Sequence, residues 1–174
     1  PCKITRMLIT HCHGDHSLGI PGMLQTLSLS GYNKTLFIYG PKGIKKFMKN
    51  LLKTFIFKLN YKIEVKEVKG KFFENQEFYF EAKEMYHVVP CNAYSFIKKG
   101  QIKINREKLK KTKLPSGPLL KKLKQGKNIT YKGKKYLAKN LTSRENDIKI
   151  SFVYDTLFNK KIPLFVKNSQ VLAS

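Results

Sequence analysis

His11, Cys12, His13, Gly14, Asp15 and His16 form the densest group of metal-binding and acid–base side chains in the sequence. Three of the four histidines of the whole chain fall in these six positions, together with one of its three aspartates. Residues 4–10 read as an apolar strand, so the group stands where a buried strand gives way to an exposed loop. Side chains two apart on an extended backbone point the same way. His11 and His13 are therefore expected to reach one metal, and Asp15 and His16, past a turn at Gly14, a second. Imidazole with carboxylate suits zinc, manganese or iron, and a histidine-dominated set suits zinc best. A solvated His-rich loop is the plain alternative, but it leaves the scarcity of histidine elsewhere unexplained. Cys12 alternates to the opposite side and reads as core filler.

Two further residues complete such a site. The fourth histidine, His87, follows a strand candidate at 77–85, and Asp155 ends another at 148–154. Sites of this kind collect ligands from several strand ends at one rim of a sheet. Asp147, in a polar turn, is the poorer candidate. Two metals about 3.5–4 Å apart hold a nucleophile and a phosphoryl oxygen together. Their charge offsets that of an anionic diester in the transition state. No soft-ligand set or flavin-binding feature accompanies the cluster, so hydrolysis is expected rather than redox chemistry.

The elements that position these residues alternate between helix and strand. Residues 17–30 read as a helix entered from the metal loop, with Leu18, Met23, Leu24 and Leu27 available for burial. A short strand follows at 35–39. Ile44, Phe47, Met48, Leu51, Leu52 and Phe55 then recur with the spacing of one helical face. Strands are expected at 61–68, with a turn at Gly70, at 77–85, at 93–97 and at 148–154. This pattern indicates an α/β layered fold.

Residues 98–139 differ in character: sixteen basic residues face a single acid, Glu107, giving +15 of the chain's +24. Asn105 is placed to cap a helix over 106–113, and Pro118 to Lys124 has proline at its start and glycine just past its end. Its leucines look too few for a core of their own, so 98–147 reads as a basic arm inserted between core segments 1–97 and 148–174. The net charge favours a polyanionic partner, although the 35 basic residues are nearly all lysines and the chain is lysine-rich throughout. Three cysteines without paired spacing suit a reducing, intracellular compartment. No apolar run approaches a membrane span. The chain starts at Pro1 and stops at Ser174 within a strand candidate at 170–173, which reads as a segment of a longer protein.

His-Cys-His-Gly-Asp-His after an apolar strand resembles the HxHxDH signature of the metallo-β-lactamase superfamily. Its continuation through Leu18-Gly19-Ile20-Pro21-Gly22-Met23-Leu24-Gln25 is similar, more narrowly, to the tRNase Z family. His87 to Tyr94 and Tyr154-Asp155-Thr156 resemble two later motifs of that family, and Pro115-Ser116-Gly117-Pro118 resembles the glycine-proline motif of its flexible arm. The resemblance implies a partial αββα sandwich and an endoribonuclease that cuts the 3′ trailer from precursor tRNA, leaving a 3′-hydroxyl. It implies two zinc ions per active site: one on His11, His13 and His87, one on Asp15 and His16, with Asp155 on both and Asp15 also acting as the base. The arm would grip the tRNA body through Lys113, Gly117, Pro118, Lys121, Lys122, Lys124, Gly126 and Lys127, and a homodimer is expected. Two departures stand out: Tyr154 replaces the family's glycine before Asp155, which would crowd or re-aim that carboxylate, and Cys91 replaces a common serine. No histidine or acid follows Asp155, so a further metal histidine and the family's downstream acid/base pair have no counterpart here. A hydrolase of small esters or thioesters and a non-catalytic RNA-binding relative are the competing readings.

Overall fold

The computed structural model describes residues 2–56, 58–112 and 114–174. In chain order the elements are β1 (Arg6–Leu8), α1 (Gly14–Ser17), α2 (Gly19–Leu29), β2 (Leu36–Gly40), α3 (Ile44–Thr54), β3 (Ile63–Glu67), β4 (Gly70–Glu74), β5 (Phe78–Met85) and β6 (Cys91–Lys98). There follow β7 (Ile102–Ile104), α4 (Arg106–Lys110), α5 (Pro118–Lys124), β8 (Ile129–Tyr131), β9 (Lys134–Tyr136), α6 (Ala138–Leu141), β10 (Thr142–Arg144), β11 (Ile148–Phe152), α7 (Lys161–Val166) and β12 (Val171–Ala173). The chain divides into two compact units, Pro1–Ile97 with Lys149–Ser174, and Lys98–Ile148.

The larger unit holds two sheets, one of order β1-β2-β3 and one of order β12-β11-β6-β5-β4. In the first, β1 and β3 both run parallel to β2. The central strand β2, Leu-Phe-Ile-Tyr-Gly, reads as apolar on both faces because both are covered, whereas β3 alternates Ile63 and Val65 with charged residues. Met7, Ile9, Leu36 and Ile38 point to one side, into a core shared with Ile20, Leu24 and Leu27 of α2 and Ile44 and Met48 of α3. Leu24, Leu27, Leu36, Ile38 and Ile44 are wholly buried, each worth about 1.5–3 kcal/mol of transfer free energy. The alternate residues face the second sheet. The Arg6 guanidinium lies 3.9 Å from the Phe73 ring centroid, and the rings of Tyr39 and Phe72 are 4.8 Å apart.

On the second sheet Phe78, Phe80 and Phe96 pack together on the inner side. Met85, Ala93 and Val153 turn outward and meet Ile162, Phe165 and Val166 of the α7 segment. Helix, sheet, sheet and helix therefore lie in four layers. Lys149 secures the end of α7, its Nζ donating to the Phe165 carbonyl oxygen, where a helix carries unpaired acceptors and negative partial charge.

Local details depart from the sequence reading. The helix expected over 17–30 is broken into α1 and α2 at Leu18, whose side chain is exposed rather than buried. Phe55 falls outside the buried stripe of α3, because the helix ends at Thr54 and Phe55 is extended. Gly70 does turn the chain, at φ +66°.

The smaller unit is built on the antiparallel pair β7–β10. At its base Gly100 donates its N–H to Asp147 Oδ1 at 2.9 Å, and Arg144 Nη2 reaches the same oxygen at 3.2 Å. A Cβ at Gly100 would stand 1.8 Å from the Glu145 carbonyl oxygen, so only glycine fits. Asn105 caps α4 as its position suggests, Oδ1 accepting from the Lys108 N–H. The leucines here prove sufficient for a small core. Leu123, Ile129, Ala138 and Leu141 are buried together, flanked by Leu114, Leu119, Leu120 and Tyr136. The expectation failed because β8, β9 and α6 supply apolar partners that no run of leucines announces.

Candidate metal centre

Parallel strands put their C-terminal ends on one rim, and the metal loop leaves β1 there. The second sheet is fastened at the same place: the Asn92 N–H donates to the Thr10 carbonyl oxygen at 2.9 Å, and the buried Tyr94 hydroxyl donates to that of Ile9 at 2.7 Å. His87 comes from the turn between β5 and β6, two residues past β5. Asp155 comes from the loop after β11. Both loops are tied to each other, with Leu157 N and Thr156 Oγ1 each donating to the Tyr86 carbonyl oxygen at 3.0 Å.

The result is a cluster of imidazoles. His13 Nδ1 lies 3.1 Å from His11 Nε2 and 3.2 Å from His87 Nε2. Four ligands at 2.0–2.1 Å from a tetrahedral zinc stand roughly 3.3–3.4 Å from one another, so the spacing of these three nitrogens fits such an ion. A second group shares His11: Asp155 Oδ2 is 3.4 Å from His11 Nε2 and 3.0 Å from His16 Nε2. His11, His13 and His87, and His11, His16 and Asp155, are the two sets that could hold a metal among the described residues. The donor chemistry also fits. Burial lowers the pKa of His11, and the neighbouring His16, His87 and His13 lower it further, against the pull of Asp155. A neutral imidazole with a free lone pair is what metal binding requires.

Asp15 is placed differently from its neighbours. It belongs to neither set, its carboxylate 3.4 Å from His16 Nε2 and its side chain 75% exposed. Extended spacing holds from His11 to His13, but α1 begins at Gly14, and successive helical side chains diverge by about 100°. His16 turns in to Asp155 while Asp15 stays at the solvent edge.

Of three further residues at the site, Thr10 and Ser17 carry no signal in the sequence, and Cys91 shows only as a departure from the family's serine. Thr10 Oγ1 lies 3.2 Å from His11 Nδ1, the ring nitrogen that faces away from the cluster. Ser17 Oγ donates to the His13 carbonyl oxygen at 2.6 Å and holds the first turn of α1. The Cys91 thiol, wholly buried, lies 3.8 Å from the Tyr154 carbonyl oxygen. Burial, with a smaller contribution from Asp155, pushes its pKa up to about 11, so it remains a thiol.

Tyr154 lines a cleft of about 280 Å³ with Leu8, Phe80, Tyr94 and Phe152, and the Asp155 carboxylate next to it reaches His11 and His16. Asp155 takes φ +44°, a left-handed conformation that aspartate tolerates better than most residues. In the smaller unit Gly117, Pro118, Lys121, Lys122, Lys124, Gly126 and Lys127 are all exposed, on or beside α5. Lys113 lies outside the described residues. No helix among the described residues is long and apolar enough to cross a membrane.

No protein-family profile matches the chain. Individual proteins do. It is 39% identical over 172 residues to ribonuclease Z of Nanoarchaeum equitans, covering 99% of this chain and 54% of that protein. It is 34% identical over 184 residues to ribonuclease Z of Leuconostoc mesenteroides, covering 99% and 56%. The chain thus spans about half the length of the curated relatives it matches. Among solved structures, human tRNase Z, short form, is similar with a TM-score of 0.50 and 26% identity, over 56% of this chain and 45% of that one. The metallo-β-lactamase fold protein YhfI of Bacillus subtilis matches with a TM-score of 0.55 and 15% identity, over 99% and 49%, a likeness of fold alone. With its paired sheets and histidine-lined rim, the chain has the metallo-β-lactamase fold and is similar, over nearly its whole length, to about half of these ribonuclease Z relatives.

Proposed function

We propose that this chain carries the metal-binding part of a zinc-dependent endoribonuclease that removes the 3′ trailer from precursor tRNA and leaves a 3′-hydroxyl. The observation that carries the reading is the convergence of four histidines and Asp155, drawn from three separate loops and linked through His11 and His13 by contacts of 3.0 to 3.4 Å. In this reading His11, His13 and His87 hold one zinc, and His16 with Asp15 holds the second. Asp155 serves both, its Oδ2 standing between His11 and His16. Zinc supplies Lewis-acid chemistry there, making water a nucleophile at neutral pH and offsetting the negative charge of a phosphodiester. Thr10 keeps the Nε2 edge of His11 turned to the cluster by accepting from its Nδ1–H. Asp15, exposed beside His16, would hold zinc through one carboxylate oxygen and accept a proton from the attacking water on the other.

The domain organisation follows the same reading: residues 1–97 and 148–174 build the catalytic core, and 98–147 form the tRNA-binding arm. Gly117, Pro118, Lys121, Lys122, Lys124, Gly126 and Lys127 present a basic surface to the phosphates of the tRNA body, with Lys113 in the same run. Lysines on such a surface read the shape of A-form RNA rather than its sequence. The working form is a homodimer, and three free cysteines suit a reducing compartment inside the cell.

The test is cleavage of a precursor tRNA with a 3′ trailer, with added zinc and with a chelator. A single cut that leaves a 3′-hydroxyl, lost on chelation while binding persists, is the expected result. Binding without any cut in the presence of zinc would make the chain a non-catalytic RNA-binding relative. Turnover of a small thioester or ester in place of RNA would make it a hydrolase of another class.

A further inference from the structure

We propose that Tyr86 and Phe158, set beside the metal cluster, form a stacking platform for unpaired bases next to the cleaved linkage, an inference that rests on the nuclease reading above. Tyr86 directly precedes His87, and Phe158 lies three residues after Asp155. The two loops that bear them are joined through the Tyr86 carbonyl oxygen, which accepts from both Leu157 N and Thr156 Oγ1. Exposure is unusually high: Tyr86 53%, Val88 85%, Leu157 74% and Phe158 88%. A few residues further on, Ile162, Phe165 and Val166 pack inward against Met85, Ala93 and Val153, so the same segment buries apolar side chains where the fold needs them.

An apolar patch at the mouth of a site marks what the site binds. Its surroundings are cationic. Lys161 Nζ sits 4.0 Å from the Tyr86 ring centroid, and Lys160 is exposed next to it. Residues 156–174 contain no acid. Aromatic rings interleaved with lysines are the chemistry of single-stranded nucleic-acid binding: rings stack on bases and ammonium groups meet phosphates. A neutral peptide partner would use the apolar surface without needing this charge. Unpaired nucleotides are the part of an RNA whose base faces are available for stacking, and the two loops that carry these rings also carry His87 and Asp155.

The experiment is binding, in the presence of EDTA, of a precursor tRNA carrying 2-aminopurine at the first trailer nucleotide, together with a short single-stranded RNA read by fluorescence anisotropy. Base–aromatic stacking is worth about 1–3 kcal/mol per base, or roughly 5- to 150-fold in affinity. Wild-type protein should quench the 2-aminopurine, Phe158→Ala should lose the quenching and bind the single strand about 5- to 150-fold more weakly, and Phe158→Trp should restore both. Phe158 is exposed, so the fold tolerates either change. Equal quenching by wild type and Phe158→Ala, or no quenching by wild type, overturns the platform whatever the cleavage assay gives. A change in sedimentation of Phe158→Ala with unaltered RNA binding overturns it in favour of a contact between copies of the chain. Cleavage is scored separately with zinc, so failure of the nuclease reading and failure of the platform give different results.

Discussion

Replacing Thr10 with valine removes one hydroxyl and keeps the shape of the side chain. That hydroxyl lies 3.2 Å from Nδ1 of His11, a residue with no solvent exposure. With Nε2 directed at the cluster, Nδ1 carries the proton and donates to Thr10 Oγ1. Such outer contacts fix the tautomer and ring orientation of a ligand, and their loss typically lowers metal affinity about 10- to 100-fold, equivalent to about 1.4–2.8 kcal/mol. The cost has a visible origin: a buried N–H left without a partner loses about 1–3 kcal/mol. Valine itself is at home there, beside Leu8, Tyr94 and Phe152 along the intersheet cleft. The backbone bond from Asn92 to the Thr10 carbonyl oxygen is untouched. Zinc affinity measured by chelator competition should fall by that factor while circular dichroism is unchanged. Unaltered affinity would refute the claim that Thr10 orients His11.

Asp15→Ala, at an exposed position, should abolish precursor-tRNA cleavage with thermal stability and tRNA binding little changed; retained cleavage removes it as the base. Replacing Lys121, Lys122 and Lys124 with alanine should weaken tRNA binding and reduce the slope of log affinity against log salt by about 2–3. An unchanged slope would show that α5 makes no phosphate contacts. Tyr61 donates to the Leu24 carbonyl oxygen at 2.9 Å, and burial, with Tyr32 adding, pushes its pKa up to about 12. The folded state then holds a proton that the unfolded chain releases near 10, so Tyr61 contributes stability fully below pH 10 and loses it as pH rises from 10 to about 12. Urea unfolding across that range should show the decline, and Tyr61→Phe should make it shallower, the remainder coming from Cys91 and the other buried tyrosines; parallel curves for both proteins would contradict the assignment.

The parts of this molecule legible in its sequence are those governed by one short-range rule. The stripe of Ile44, Phe47, Met48, Leu51 and Leu52 follows from helical period alone, and the cap at Asn105 from the chemistry of a free N–H. The candidate site was legible where extended backbone carried it, at His11 and His13, and where strand ends delivered His87 and Asp155. The alternation rule stopped at Gly14, where one turn of helix sends Asp15 outward and His16 to Asp155. Thr10 gave no warning, since its role depends on which strand lies alongside. The small core of the basic unit was hidden for the same reason: Ile129, Ala138 and Leu141 belong to elements of three or four residues, too short to show a period.

Anomalous diffraction at the zinc edge from crystals grown with zinc tests the central claim most directly. The account predicts a peak bonded at about 2.0–2.1 Å to nitrogens of His11, His13 and His87, with Asp155 beside it. Zinc bound elsewhere on the chain, with those three imidazoles left uncoordinated, would contradict it.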